Sequence, residues 1–327
     1  MSTAVAQLSN GTIVKLAKIA GTAGYQELLQ SELQKRQVIQ GHATPHTRAH
    51  ASSHGVAVLA EMIVSLREAS EAILGDLPAT VAVTAPYVLA WLDEETDFSS
   101  YVWRARELAG LKSFRVETMS PLYLAEASTV FAANGRCLCQ DRYCYGPERT
   151  EEDIFTHDVV YHISFTNNSL YTVFQRATCF FHSPAGARYG TINHDFGLGR
   201  TEHGVAATFW LHMEEYLVSQ AEKYVKSDVR PTESYIIAMA GEAAENKEFR
   251  DTVARVAARI QGDEAHRSER TGAGPKIELL ASKEPVYAAA IGAALSKRHE
   301  LDHSYCDEYF KSGIKVTDLH DDSRDEL

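Results

Sequence analysis

The sequence predicts an α/β protein with mixed sheets and flanking helices, and three observations carry that prediction. A β-branched run from Thr80 to Pro86, a helical pattern around Tyr101 to Leu111 and a second strand-like run from Ser113 to Glu117 alternate in type. Two further strand-like runs, Asp158 to Phe165 and Ser169 to Phe174, are separated by Thr166-Asn167-Asn168, residues that favour turns, so a hairpin is expected. Strand and helix patterns then alternate again from Val205 to Lys297.

In order along the chain, Ile13, Leu16 and Ile19, and later Val56, Leu59, Met62, Ile63 and Leu66, recur at three- and four-residue steps. This predicts that the first 75 or so residues are mainly helical, with a polar loop between Gly41 and Ser53. Leu124 to Asn134 reads as a helix of small residues closed by Gly135, since glycine tolerates the left-handed conformation that ends helices. After the hairpin come a long amphipathic helix from Val205 to Val225, a strand from Ser234 to Ala240, a helix from Lys247 to Ile260, a strand from Lys276 to Leu280 and a helix from Pro285 to Lys297. The expected organisation is a mainly helical segment over 1–78, a first α/β lobe over 79–135, a charged connector over 136–153, a second α/β lobe over 154–316 and an acidic tail over 317–327.

A chain of 327 residues with 45% hydrophobic content can bury a sizeable core. Its formal charge of −12 argues against a nucleic-acid partner, because binding a polyanion needs clustered Lys and Arg. A small molecule or a protein is the expected partner. No run approaches the length of a membrane span, and Met1 to Gly24 lacks the apolar core of a signal peptide, so a cytoplasmic location is expected. Arg324-Asp325-Glu326-Leu327 resembles a retrieval signal of the endoplasmic reticulum, but without a leader a chance match is the favoured reading.

Five cysteines, an odd number, suit a reducing compartment. Cys137, Cys139 and Cys144 lack the paired two-residue spacing of zinc sites, and only the fold could add Cys179 or His182. His42, His46, His50 and His54 would share one face of a helix, but Pro45 interrupts it and no carboxylate accompanies them. No metal and no cofactor are therefore expected.

Several stretches between Val64 and His299 resemble, in order, the ATPase domain of the large heat-shock chaperones, and more closely chaperone-like proteins of filamentous fungi. Glu126 to Gly135 resembles the helix that hinges the two lobes, and Glu284 to Ala294 is similar to the closing helix, where alanines and a glycine let backbones pack tightly. Ile236 to Ala243 resembles the strand and turn that approach adenosine, with Ala240 in place of the first glycine. The resemblance implies a reduced two-lobed actin-like ATPase fold of the ribonuclease-H-like kind. The departures bear on function. The glycine-rich phosphate turn of the second lobe corresponds to Phe165-Thr166-Asn167-Asn168-Ser169, without glycine or acid. No first phosphate hairpin with an acid and Gly-Thr is found before the first helix, and only Lys226 to Glu233 stands where chaperones insert a subdomain. Phosphoryl transfer rests on positioning and charge neutralisation, so these losses predict a scaffold that no longer hydrolyses ATP.

The expected interlobe cleft is lined by Glu126, Thr166, Asn167, Ser169, His194, Asp195, Gly241 and Glu242, with Tyr123, Phe165 and Tyr171 as aromatic walls. Glu126 is the candidate catalytic residue, as a general acid or base if buried beside apolar walls, or else simply a cap or ion-pair partner at the hinge. His194 and Asp195, adjacent on an extended segment, are expected to point apart. The resemblance implies a cofactor-free cyclase of fungal secondary metabolism that acts by a pericyclic, Diels–Alder type closure. A non-catalytic chaperone-like or protein-interaction module with residual nucleotide binding is the alternative.

Overall fold

The protein is described by a computed structural model over residues 1–30, 53–76, 80–88, 101–113, 123–136, 158–177, 190–203, 206–226, 232–268 and 276–302. The cysteine triplet, Cys179 and His182, His42 to His50, most of the connector and the acidic tail with its Arg-Asp-Glu-Leu terminus lie outside the described residues.

The chain opens with an antiparallel hairpin, β1 (Ser2–Gln7) and β2 (Ile13–Ile19), which corrects the helical expectation for this stretch. Three apolar residues at three-residue steps fit one face of a helix and equally a short strand with both faces engaged. The deciding signals were the β-branched Ile13, Val14 and Ile19 and the Asn10-Gly11 turn, where Gly11 takes φ 84° and donates its amide to the Leu8 carbonyl at 2.9 Å. That turn is exposed and carries no acidic residue.

A helix over 23–30 (α1) and the long α2 (Ser53–Leu74) follow, the latter burying Val56, Leu59 and Met62 as its periodicity predicts. The expected strand from Thr80 to Pro86 is split in two. β3 (Thr80–Val81) pairs in parallel with β5 (Lys112–Ser113), and β4 (Thr84–Ala85) with β6 (Leu124–Ala125), with α3 (Tyr101–Leu108) between them in sequence. β6 runs directly into α4 (Glu126–Ala133), which ends at Gly135 with φ 74° as expected.

The larger sheet comes from the second half. β7 (Asp158–Phe165) and β8 (Leu170–Arg176) form the expected antiparallel hairpin, and β9 (Thr191–Asn193) continues it antiparallel to β8. After α5 (Ala206–Val225), β10 (Ser234–Ala240) pairs in parallel with β7. After α6 (Lys247–Ser268), β11 (Lys276–Ala281) pairs in parallel with β10, and α7 (Ala288–Asp302) follows. The resulting order is β11-β10-β7-β8-β9.

Both faces of this sheet are covered, which is why β7, β8 and β10 read as nearly continuous apolar runs. On one face Val159, Tyr161, Ile163 and Phe165 pack against Phe209, Trp210, Met213 and Leu217 of α5 and Phe249, Val253 and Val256 of α6. On the other, Val160, Ile236, Ala238 and Ala240 meet Val130 and Phe131 of α4 and Ala288 of α7. A third cluster joins Tyr171, Val173 and Ile192 to Val56 and Leu59 of α2, Val102 and Ala105 of α3, Tyr123 and Ala127. The N-terminal elements thus share a core with β8 and β9. Helices α4 and α7 cross so closely that a Cβ on Gly292 would overlap the Thr129 carbonyl. This is the close approach for which the small residues of Ala288 to Ala294 are suited.

Candidate functional site

The predicted site residues fall into two groups along the α4 side of the sheet. Strand alternation puts Val160, His162 and Ser164 of β7 on this side, and Tyr171, Val173 and Gln175 of β8 with them.

The first group surrounds Glu126. This residue occupies the first turn of α4, where the helix N-terminus favours negative charge; its cap, Ala125, offers no side-chain hydrogen bond. The carboxylate is 16% exposed, and its Oε1 stands 3.4 Å from Nε2 of His162, a residue with no exposure at all. His162 Nδ1 is buried and has no hydrogen-bond partner. The His162 ring meets Tyr171 edge-on, 5.7 Å between centroids, and the Tyr171 hydroxyl accepts the Tyr87 amide at 2.8 Å. Burial first, and the Glu126 carboxylate second, push the Tyr171 phenol well above its ordinary pKa. The same two causes push Tyr25 of α1 up to about 12. Tyr25 is partly exposed as a residue, yet its phenol group is enclosed. Both tyrosines are therefore neutral phenols beside a carboxylate. Tyr123 is buried nearby, its hydroxyl 3.5 Å from the Pro86 carbonyl.

The second group forms around the hairpin turn, about 13 Å along β7 from His162 at a strand's rise per residue. Every backbone amide of this turn is engaged within the chain. Thr166 N–H donates to the Ser169 carbonyl at 2.9 Å, Asn167 N–H to Glu242 Oε1 at 3.0 Å, and the Asn168 and Ser169 amides to Thr166 Oγ1 at 3.3 and 3.0 Å. The following segment closes over the turn from the other side: Leu198 and Gly199 donate to the Thr166 and Asn167 carbonyls, each at 3.0 Å. Gly241 brings Glu242 into place. Its φ of 99° and its contact with the Phe165 backbone exclude a side chain, and its amide donates to the Pro285 carbonyl at 3.0 Å.

Three predicted residues behave differently from expectation. The Phe165 ring is not a wall of this site: it points to the opposite face of the sheet, stacked on Phe249 at 4.6 Å, because it alternates with Ser164. His194 and Asp195 stand on a turn after β9 and not on an extended segment. Asp195 is exposed, its amide bonded to Asn193 Oδ1, whereas His194 is partly buried with Nε2 unpartnered. Burial lowers the His194 pKa, and the backbone of Asn168 and of Leu29 partly offsets this. His194 thereby touches the hairpin turn and α1 together.

Sequence reasoning missed His162, Tyr25 and Gln175. His162 carried a usable signal, since it is the one side chain that titrates near neutral pH within the mainly apolar Val159 to Phe165. Among the described residues no group of three or more His, Cys, Asp or Glu side chains could hold a metal, and no helix is long and apolar enough to cross a membrane. No family model matches the chain, and no curated protein matches it.

Proposed function

We propose that the chain is a reduced ribonuclease-H-like, actin-like scaffold that does not hydrolyse ATP and that binds a small, largely apolar organic molecule beside Glu126. The observation that carries this reading is the closure of the hairpin turn. A phosphate needs free backbone amides, and here all four amides from Thr166 to Ser169 already have acceptors, one of them the Glu242 carboxylate. A polyphosphate would have to displace a like charge and break an intact turn. The strand order with one antiparallel hairpin, and the close crossing of α4 and α7, support the scaffold assignment.

What remains is a carboxylate, an imidazole and neutral phenols set among apolar side chains. Such an inventory suits reactions that need positioning and hydrogen bonding and no external cofactor. Pericyclic closure of the Diels–Alder type is the reaction class proposed, with Glu126 as the polar contact to substrate. Holding reactants in a reactive geometry contributes roughly 7–11 kcal/mol in favourable cases. Calorimetry with ATP and magnesium tests the central point: no micromolar binding and no turnover are expected, for the wild type and for Glu242→Ala alike. Micromolar affinity or hydrolysis by the wild type overturns the reading in favour of a nucleotide-regulated chaperone-like module.

A further inference from the structure

The donors and acceptors around Glu126 decide which sign of charge a ligand there would carry, an inference that rests on that neighbourhood being the binding site. We propose that Glu126, with Tyr25, Tyr171 and His162 around it, recognises a small organic cation: a protonated or quaternary amine carried on an apolar body.

Four features point the same way. The Glu126 carboxylate is mostly buried, and the partner described for it is a histidine at the long distance of 3.4 Å, not a Lys or Arg. The ion pairs of Lys15, Arg67, Arg136, Arg255 and Arg259 go to other carboxylates. Arg176, also fully buried, alternates with Gln175 onto the α5–α6 face, where its register partner Val159 lies. A mostly buried carboxylate whose partner is one imidazole at 3.4 Å is incompletely paired, and a cationic ligand would complete the pairing.

The second feature is the aromatic surround. Tyr171 is 4% exposed, and its phenol and that of Tyr25 are held protonated, so their rings and oxygens present negative potential without adding a competing charge. Third, two side chains of β7 and β8 on this side carry an atom without a partner that can accept: His162 Nδ1, in the tautomer whose Nε2–H donates toward Glu126, and Gln175 Oε1, on a side chain whose amide nitrogen donates to Ser128 of α4 at 2.9 Å. His162 and Gln175 are 0% and 1% exposed. Fourth, an anion here would face the carboxylate directly, whereas a trimethylammonium or ammonium group meets a charge, π faces and lone pairs together. The cation would anchor one end of the molecule and leave its apolar body to be folded by the surrounding side chains.

The test compares choline with its neutral isostere 3,3-dimethylbutan-1-ol, following tyrosine ring resonances of the full chain by NMR. The expected result is that choline binds about tenfold more tightly than the isostere, as a desolvated cation–aromatic and ion-pair contact supplies. That preference should vanish in Glu126→Gln and persist in Glu245→Gln, a change at an exposed carboxylate. Equal affinity for the two probes in the wild type overturns the cation inference while leaving an apolar binding site in place. A preference that survives Glu126→Gln overturns the assignment to this carboxylate. If neither probe perturbs the tyrosines, both the inference and the binding reading fail. Should Glu126→Gln not fold, the wild-type pair of titrations still decides the sign.

Discussion

The two faces of the five-stranded sheet are built on different principles, although they alternate along the same strands. Toward α5 and α6 the contacts are large and aromatic: Tyr161 stacks on Phe174 at 3.9 Å, Phe165 on Phe249 at 4.6 Å and Phe174 on Tyr224 at 4.7 Å. Toward α4 and α7, small and polar side chains are mixed with the larger Val130, Phe131, Val160 and Ile236: Ala238, Ala240, Ala288 and Gly292, with His162, Ser164 and Gln175 among them. The first face gains its stability mainly from buried aromatic area. The second brings backbones together and leaves polar atoms imperfectly paired, which is the arrangement expected where a fold gives up some stability for function.

The largest effect that would sharpen this contrast comes from truncating the aromatic face. Phe249→Ala removes a ring with no exposure and should cost about 3–5 kcal/mol in urea denaturation. His162→Phe, equally buried on the opposite face, should cost less, about 1–3 kcal/mol, since it removes an unpaired polar atom but leaves the mostly buried Glu126 carboxylate without its imidazole. If His162→Phe proved as costly as Phe249→Ala, the polar face would be a structural core and the contrast would break. Gly292→Ala comes next, at about 1–3 kcal/mol, because the added Cβ overlaps the Thr129 carbonyl and pushes α7 away from α4. A neutral result would mean that the two helices are not held at their crossing.

The second half of the chain was more legible than the first, for a physical reason. β10 runs over Ser234–Ala240 and β7 over Asp158–Phe165, the bounds their composition predicts, because strands covered on both faces need continuous apolar residues and end at turn formers. Helix ends were less clear: α6 extends to Ser268, eight residues past Ile260, and Gln261 to Ser268 hold no large apolar residue, so the sequence offers no hydrophobic period to read there. In the first half, β3 to β6 are two-residue pairings whose existence depends on distant partners, and Thr80 to Pro86 could not announce that it serves two of them. Gly241 and the Thr166 turn were legible as turns from their backbone chemistry. Around Glu126, Tyr123 and Tyr171 were read from the sequence as walls, whereas Tyr25 and His162 were not, because tertiary packing brings them there and no local pattern links them.

The smallest expected effect tests where the two halves of the chain meet. His194 sits after β9 with the backbone of Asn168 and of Leu29 beside it, and burial holds its pKa below 6.5 in the folded chain. The folded state therefore favours the neutral ring more than the unfolded state does. Above about pH 6.5 both states carry it neutral and its contribution is complete. As the pH falls below that value the unfolded chain takes up the proton first, so stability declines until the lowered folded value is passed. Denaturation midpoints measured from about pH 7.5 down to pH 5 should fall more steeply for the wild type than for His194→Gln. Parallel profiles would show that the ring is solvated in solution and does not tie α1 to the hairpin turn. A steeper wild-type slope would show that protonation of a residue outside the three apolar clusters weakens the contact between the N-terminal elements and the sheet.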